Sequence, residues 1–134
     1  HTPDALENAI NTLREHHPES KLRVLFGCGG NRDVGKRAKM GKIASELADS
    51  VILTNDNPRN EEAQSIVDDI LIGLKEGFEA EVILDRELAI QTAITTLRED
   101  ECLLIAGKGH ETTQTIGAKI LPFSDIEVTQ NALI

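Results

Sequence analysis

The stretch Val24-Leu25-Phe26-Gly27-Cys28-Gly29-Gly30 is an apolar run that closes directly into a glycine-rich turn. Three other runs share its character: Val51-Ile52-Leu53, Val82-Ile83-Leu84 and Leu103-Leu104-Ile105-Ala106. All four are continuous rather than alternating and mostly β-branched or Leu, as in strands covered on both faces of a parallel sheet. Helical periods lie between them. Met40, Ile43, Ala44 and Leu47 fall on one helix face, as do Ala63, Ile66, Val67 and Ile70, with Leu71 and Leu74 extending that stripe. Ala89, Ile90, Ala93, Ile94 and Leu97 make a third stripe, and Leu6, Ala9, Ile10 and Leu13 a fourth, ahead of the first strand. Starts are legible too: Thr2 as a cap before Pro3, Asn60 before Glu61-Glu62, and Ser124 before Asp125. Strand and helix alternate to the last apolar run, which predicts an α/β fold: an open, mostly parallel, Rossmann-like sheet with helices on both faces. Thr113–Ile116 and Lys119–Leu121, joined across Gly117-Ala118, read as a C-terminal hairpin that adds an edge strand.

The 134 residues fit one domain, able to bury roughly two-thirds of the surface of its unfolded chain. Acidic residues outnumber basic ones, 23 to 14, which argues against a phosphate-tracking nucleic-acid binder. With three Phe and no Trp or Tyr, platforms for stacking single-stranded bases are also missing. Cys28 and Cys102 are too few for a disulfide scaffold and read as buried thiols in a reducing compartment. No apolar run approaches the roughly 18 residues of a membrane span, and no signal peptide opens the chain, so a soluble cytoplasmic protein is expected. It begins at His1, directly at a helix start, as a piece of something longer would.

In a sheet of this type ligands bind beyond the carboxyl ends of the strands. Most of the unusual sequence lies there: Gly27–Asp33, Thr54–Arg59 and Gly107–Glu111, with Asp85-Arg86 after the third run. Gly30-x-x-x-x-Gly35-Lys36 has P-loop spacing, but Arg37 stands where a Ser or Thr would ligate magnesium. A dinucleotide fingerprint fails at Arg32, where its third Gly should be. A turn needing glycine accounts for part of the pattern. From Arg32 to Lys42 the local charge is +4 (Arg32, Lys36, Arg37, Lys39 and Lys42 against Asp33), leaving −13 of the total −9 elsewhere. A solvated helix face explains Lys39 and Lys42; Arg32 instead lies in the edge loop. In Asp56-Asn57-Pro58-Arg59, Pro58 makes a rigid corner and Arg59 offers a planar fork for a carboxylate or phosphate, although an Asx-Pro turn with a surface Arg fits the same residues. His110 has no nucleophile beside it in sequence, and the His-Glu pair lacks the second His of a zinc helix, so no metal site is expected.

Taken together, these segments resemble the C-terminal domain of the MurE ligases of the Mur ligase family. The likeness runs from His1-Thr2-Pro3-Asp4, similar to the end of an Asp-Tyr-Ala-His-Thr-Pro-Asp motif, through Phe26–Asp33 and Gly35-Lys36-Arg37. It continues through Asp56–Arg59 to Ala106–Glu111. Asn31 stands where Asp is expected in many relatives, a departure without consequence for amino-acid recognition. The resemblance implies an ATP-dependent amide ligase of bacterial peptidoglycan precursor synthesis, adding meso-diaminopimelate to UDP-MurNAc-L-Ala-D-Glu through an acyl phosphate. ATP and Mg2+ would be bound mainly by a central ATPase domain with its P-loop and carbamylated lysine. Neither that domain nor the N-terminal UDP-sugar domain is in these 134 residues, so the piece alone is expected to be inactive, with no catalytic residue and no intrinsic cofactor.

The same resemblance assigns Arg32, Asp56, Asn57, Pro58, Arg59, Gly107 and Glu111 to the amino-acid pocket. Arg32, Asn57 and Arg59 would meet carboxylates, the Gly107 carbonyl and Glu111 an ammonium, and Asp56 would hold the corner and one Arg. His1, Asn31 and Lys36 would face the nucleotide. Asp-Asn-Pro-Arg resembles the signature of diaminopimelate-adding members, and the physical reason is a bidentate partner for the second carboxylate, left unpaired by lysine. The expected partners are the amino acid, the UDP-linked dipeptide and the remaining domains of a monomeric enzyme, with no nucleic acid or membrane. Alternatives are a Mur or folylpolyglutamate-type ligase domain for another amino acid, and a non-catalytic α/β binding module.

Overall fold

A computed structural model describes residues 2–30, 34–108, 113–116 and 118–133. Helix α1 (Pro3–His16) leads into strand β1 (Lys21–Phe26). Helix α2 (Gly35–Leu47), β2 (Ser50–Leu53), α3 (Ala63–Ile72), β3 (Glu81–Val82), α4 (Arg86–Thr95) and β4 (Glu101–Ile105) follow in strict alternation. A hairpin of β5 (Thr113–Ile116) and β6 (Lys119–Pro122) and helix α5 (Asp125–Ala132) complete the order.

Strands β1 to β4 form one parallel sheet in the order β3-β2-β1-β4. The chain therefore winds outward from β1 through β2 to β3, then returns by α4 to place β4 on the other side of β1. That reversal makes the carboxyl ends of β1 and β4 the switch point where loops part into a crevice.

Successive residues of a strand face opposite ways, so each apolar run supplies two cores. Leu22, Val24 and Phe26 with Val51 and Leu53 pack under the α1–α3 layer, against Leu6, Ile10, Met40, Ala44, Ile66, Val67 and Ile70. Leu25 and Ile52 point to the other face, with Ala89, Ile90 and Ala93 of α4 and, partly buried, Leu103, Ile105, Phe123 and Val128. The α/β reading of the sequence holds.

The expected caps hold at two helices and move at a third. Thr2 accepts from the Ala5 amide at 3.1 Å ahead of Pro3, and Ser124 from the Glu127 amide at 3.3 Å. Helix α3 starts later than Asn60 implied: Glu62 occupies the cap without a side-chain bond, because Glu61 is drawn into an ion pair described below. Asp85, not anticipated as a cap, closes the first turn of α4 by accepting from the Leu88 amide at 3.2 Å. The hairpin forms between the two expected strands, yet it is a separate two-stranded antiparallel sheet rather than an edge strand of the main one.

Candidate functional site: a cluster of loops at the carboxyl edge of the sheet

The loop after β1 and the loop after β2 are joined backbone to backbone. Gly30 N–H donates to the Asn57 carbonyl at 2.6 Å. A Cβ at Gly30 would collide with the Pro58 carbonyl, and one at Gly27 with the Thr54 carbonyl, so glycine is required at both for the loops to touch. The rigid Pro58 corner is the surface against which the glycine-rich turn closes.

Arg59 belongs to the same junction. Its φ of +52° is left-handed, uncommon for a residue with a Cβ and costing about 1–2 kcal/mol. Its NH1 donates to the Gly30 carbonyl at 2.9 Å and reaches the Asn57 carbonyl at 3.4 Å, which holds the half-buried guanidinium over the joined loops. Among the described residues it has no carboxylate partner.

The two fully buried arginines differ in this respect. Arg37 of α2, 1% exposed, pairs with both oxygens of Glu61 at 2.9 Å and with Asp69 Oδ2 at 2.9 Å, and donates to the Gly29 carbonyl at 3.0 Å. These hydrogen bonds, above all that to Glu61, push its pKa further above the usual range. The cationic stretch beginning at Arg32 is thus less cationic in space than in sequence, because one of its charges is neutralised inside the fold. Arg86, the first residue of α4 and also 1% exposed, makes a parallel pair of 2.7 Å bonds to the two oxygens of Asp125 in α5. It also donates to the carbonyls of Asn55 (2.8 Å) and Ala106 (3.1 Å), tying the ends of β2 and β4 together.

Asp56 is 1% exposed and pairs with Lys108 Nζ at 3.1 Å; the same ammonium donates to Asn57 Oδ1 at 3.0 Å. The buried Gln114 of β5 donates to the Asp56 carbonyl at 2.8 Å, so the hairpin docks on the corner. Gly107 has φ +117°, a conformation L side chains rarely adopt, and faces Asp56 and Arg86. Asp56, Asn57, Pro58, Arg59 and Gly107 are thereby gathered at one sheet edge. Lys36 is exposed at the start of α2. His1, Asn31, Arg32 and Glu111 lie outside the described residues. Lys108, Arg86, Asp125 and Gln114 were not picked out as site residues from the sequence; position after a strand was the available signal for Arg86 and Lys108, and nothing local marked Asp125 or Gln114.

Cys28, buried beside this edge with Sγ 3.6 Å from Met40 Sδ, has its thiol pushed by burial up to about 11 from 9.0, with Arg37 opposing the shift and Asp56 adding to it. It is a core thiol without nucleophilic character. Among the described residues no group of three or more His, Cys, Asp or Glu is placed to hold a metal ion, and no helix is long and apolar enough to cross a membrane.

A family model described as "Mur ligase, glutamate ligase domain" matches residues 1–109. The UDP-N-acetylmuramoyl-L-alanyl-D-glutamate–2,6-diaminopimelate ligase of Coxiella burnetii is 51% identical over 133 residues, covering 99% of this chain and 27% of the relative. The ligase of the same name from Leptospira interrogans is 52% identical over 133 residues, covering 98% and 26%. A solved structure of a ligase of that name superposes with a TM-score of 0.92 at 40% identity, over 99% of this chain and 27% of the other. Folylpolyglutamate synthase from Thermotoga maritima shares the fold alone, at TM-score 0.56 and 21% identity over 78% of this chain and 23% of the other. The chain spans about a quarter of the length of these curated relatives. Matched over most of its length by the family model and over nearly all of it by such relatives, the chain belongs to the Mur ligase family, as a homologue of the glutamate ligase domain of its 2,6-diaminopimelate-adding members.

Proposed function

We propose that this chain is the C-terminal, amino-acid-binding domain of a bacterial cytoplasmic ligase that joins meso-diaminopimelate to UDP-MurNAc-L-Ala-D-Glu during peptidoglycan precursor synthesis. The observation that carries this reading is Arg59. A guanidinium held by two backbone carbonyls at a ligand-binding sheet edge, with no acid beside it among the described residues, is prepared for an incoming carboxylate. Arg37 and Arg86, each paired with acids of the chain itself, serve the scaffold instead.

Diaminopimelate carries two carboxylates and two ammonium groups. Arg59, Asn57 and Arg32 would receive the carboxylates, while the Gly107 carbonyl and Glu111 would receive an ammonium. The remote carboxylate on Arg59 fixes how far the reacting amine projects from the edge, and holding it in a near-attack position is this domain's share of the catalysis. Lysine lacks that carboxylate and would leave Arg59 unpaired, so one residue both attracts the right substrate and penalises the wrong one. ATP, bound with Mg2+ mainly by a central domain, supplies the phosphoryl group that activates the acceptor carboxylate. Lys36, exposed at the start of α2, with His1 and Asn31, would form the nucleotide-facing wall.

A competition between meso-diaminopimelate, lysine and glutamate, run on the intact ligase carrying this domain, tests the reading. Diaminopimelate should win, and Arg59→Lys should lower kcat/KM for it by about 10²-fold, the loss of a bidentate charged contact. Preference for lysine or glutamate in the unaltered enzyme would refute it.

A further inference from the structure

Lys108 is the buried cation whose role the foregoing leaves open. Its side chain is fully enclosed, its Nζ lies 3.1 Å from Asp56 Oδ1 and 3.0 Å from Asn57 Oδ1, and the ammonium stands 6.0 Å from the centroid of the Phe123 ring. An ammonium offers three donors and no acceptor. The Asn57 atom that faces it must therefore be the amide oxygen. Since the amide is planar, its NH2 group is turned to a different side, and Asn57 presents a donor there rather than an acceptor. A carboxylate is recognised by donors; an Asn57 turned the other way would offer it an oxygen and repel it.

The surroundings keep that orientation in place. Asp56 balances the charge of Lys108, and Gln114 holds the Asp56 carbonyl, so the corner is fixed from the segment after β4, from β5 and through Pro58. The 2% exposure of Lys108 also means that it does not itself present its charge to a solvent-side ligand. We propose that Lys108 is a positioning residue of the amino-acid site, acting through Asn57: it sets the amide as a donor toward a carboxylate of the amino-acid substrate. The proposal rests on the function argued above.

The test uses the intact ligase. Lys108→Met removes the ammonium at nearly constant length, and Lys108→Met combined with Asp56→Asn removes the charge pair together, so that no buried carboxylate is stranded. Steady-state KM values are measured for diaminopimelate, ATP and the UDP-linked dipeptide, in the presence and absence of Asn57→Ala. Both variants should raise KM for diaminopimelate at least about tenfold and leave the other two KM values within about twofold; in the Asn57→Ala background the Lys108 change should add less than about twofold. An unchanged KM for diaminopimelate, a common rise in all three constants, or full multiplicativity with Asn57→Ala would overturn the proposal. Failure of both variants to fold would assign Lys108 to stability and overturn it as well. If the unaltered enzyme does not use diaminopimelate at all, it is the function that fails, a result distinct from any of these.

Discussion

Removing Asp125 should cost far more stability than removing the acid of an exposed pair. Its two oxygens take the Nε and NH2 of Arg86 at 2.7 Å each, with the Arg86 side chain 0% and the Asp125 side chain 7% exposed. Asp125→Ala strands a guanidinium that retains only the Asn55 and Ala106 carbonyls, and breaking a buried pair from one side costs about 3–5 kcal/mol. For 134 residues the total stability is of order 7–20 kcal/mol, so the change consumes a large fraction of it. Arg86→Met with Asp125→Ala removes both charges but leaves two carbonyls without donors, at about 1–3 kcal/mol each. The double variant should therefore lose about as much as Asp125→Ala alone, and far less than the sum of the single losses. Urea denaturation of the four proteins, followed by circular dichroism, measures the cycle through midpoints at constant slope. A cost below about 1 kcal/mol for Asp125→Ala, the size of an exposed pair, would refute the reasoning. Additivity of the two changes would refute it too.

Gly30→Ala should weaken diaminopimelate use as well as stability, because the new Cβ meets the backbone of Pro58 and the two loops must part; kinetics unchanged from the unaltered enzyme would contradict the close approach. At Cys28, the native thiol keeps its proton up to about pH 11 while the unfolded one loses it near 9.0, so the native state binds more protons between those values and its stability falls as pH rises. Below pH 9 this contribution is fully present; between about pH 9 and 11 it falls by at most about 1.4 kcal/mol per pH unit, a slope absent from Cys28→Ala that a comparison of urea midpoints at pH 8.5 and 10.5 reads directly. The 134 residues on their own should form no tripeptide precursor from ATP, diaminopimelate and the UDP-linked dipeptide; product detected by mass spectrometry would show that they catalyse ligation by themselves.

Much of the site's location was legible. The four apolar runs and their intervening stripes place the strands and helices, since period-2 and period-3.6 patterns are local properties. A winding sheet then sends the segments after those strands to one edge, which is where Gly30, Asp56–Arg59 and Gly107 meet. The cap at Asn60 was misread because Glu61, a reasonable first-turn acid, is held by Arg37 from another element. The hairpin was legible as a pair of strands, whereas its separation from the main sheet was not, because its Gln114 docks on a loop rather than on β4.

The charges divide most sharply between the two kinds of information. By itself the sequence determined an acidic α/β domain with a glycine turn, a proline corner and an arginine at the carboxyl edge of the sheet. Only the tertiary structure decided which cations are used up inside it. Arg37, Arg86 and Lys108 are buried against acids 24, 39 and 52 positions away in the chain (61 − 37, 125 − 86 and 108 − 56), while Arg59, among the described residues, bonds to backbone carbonyls. A charged side chain reads the same in sequence whether it is solvated or paired. Its fate is settled by desolvation and by partners that only the folded chain brings within hydrogen-bonding distance.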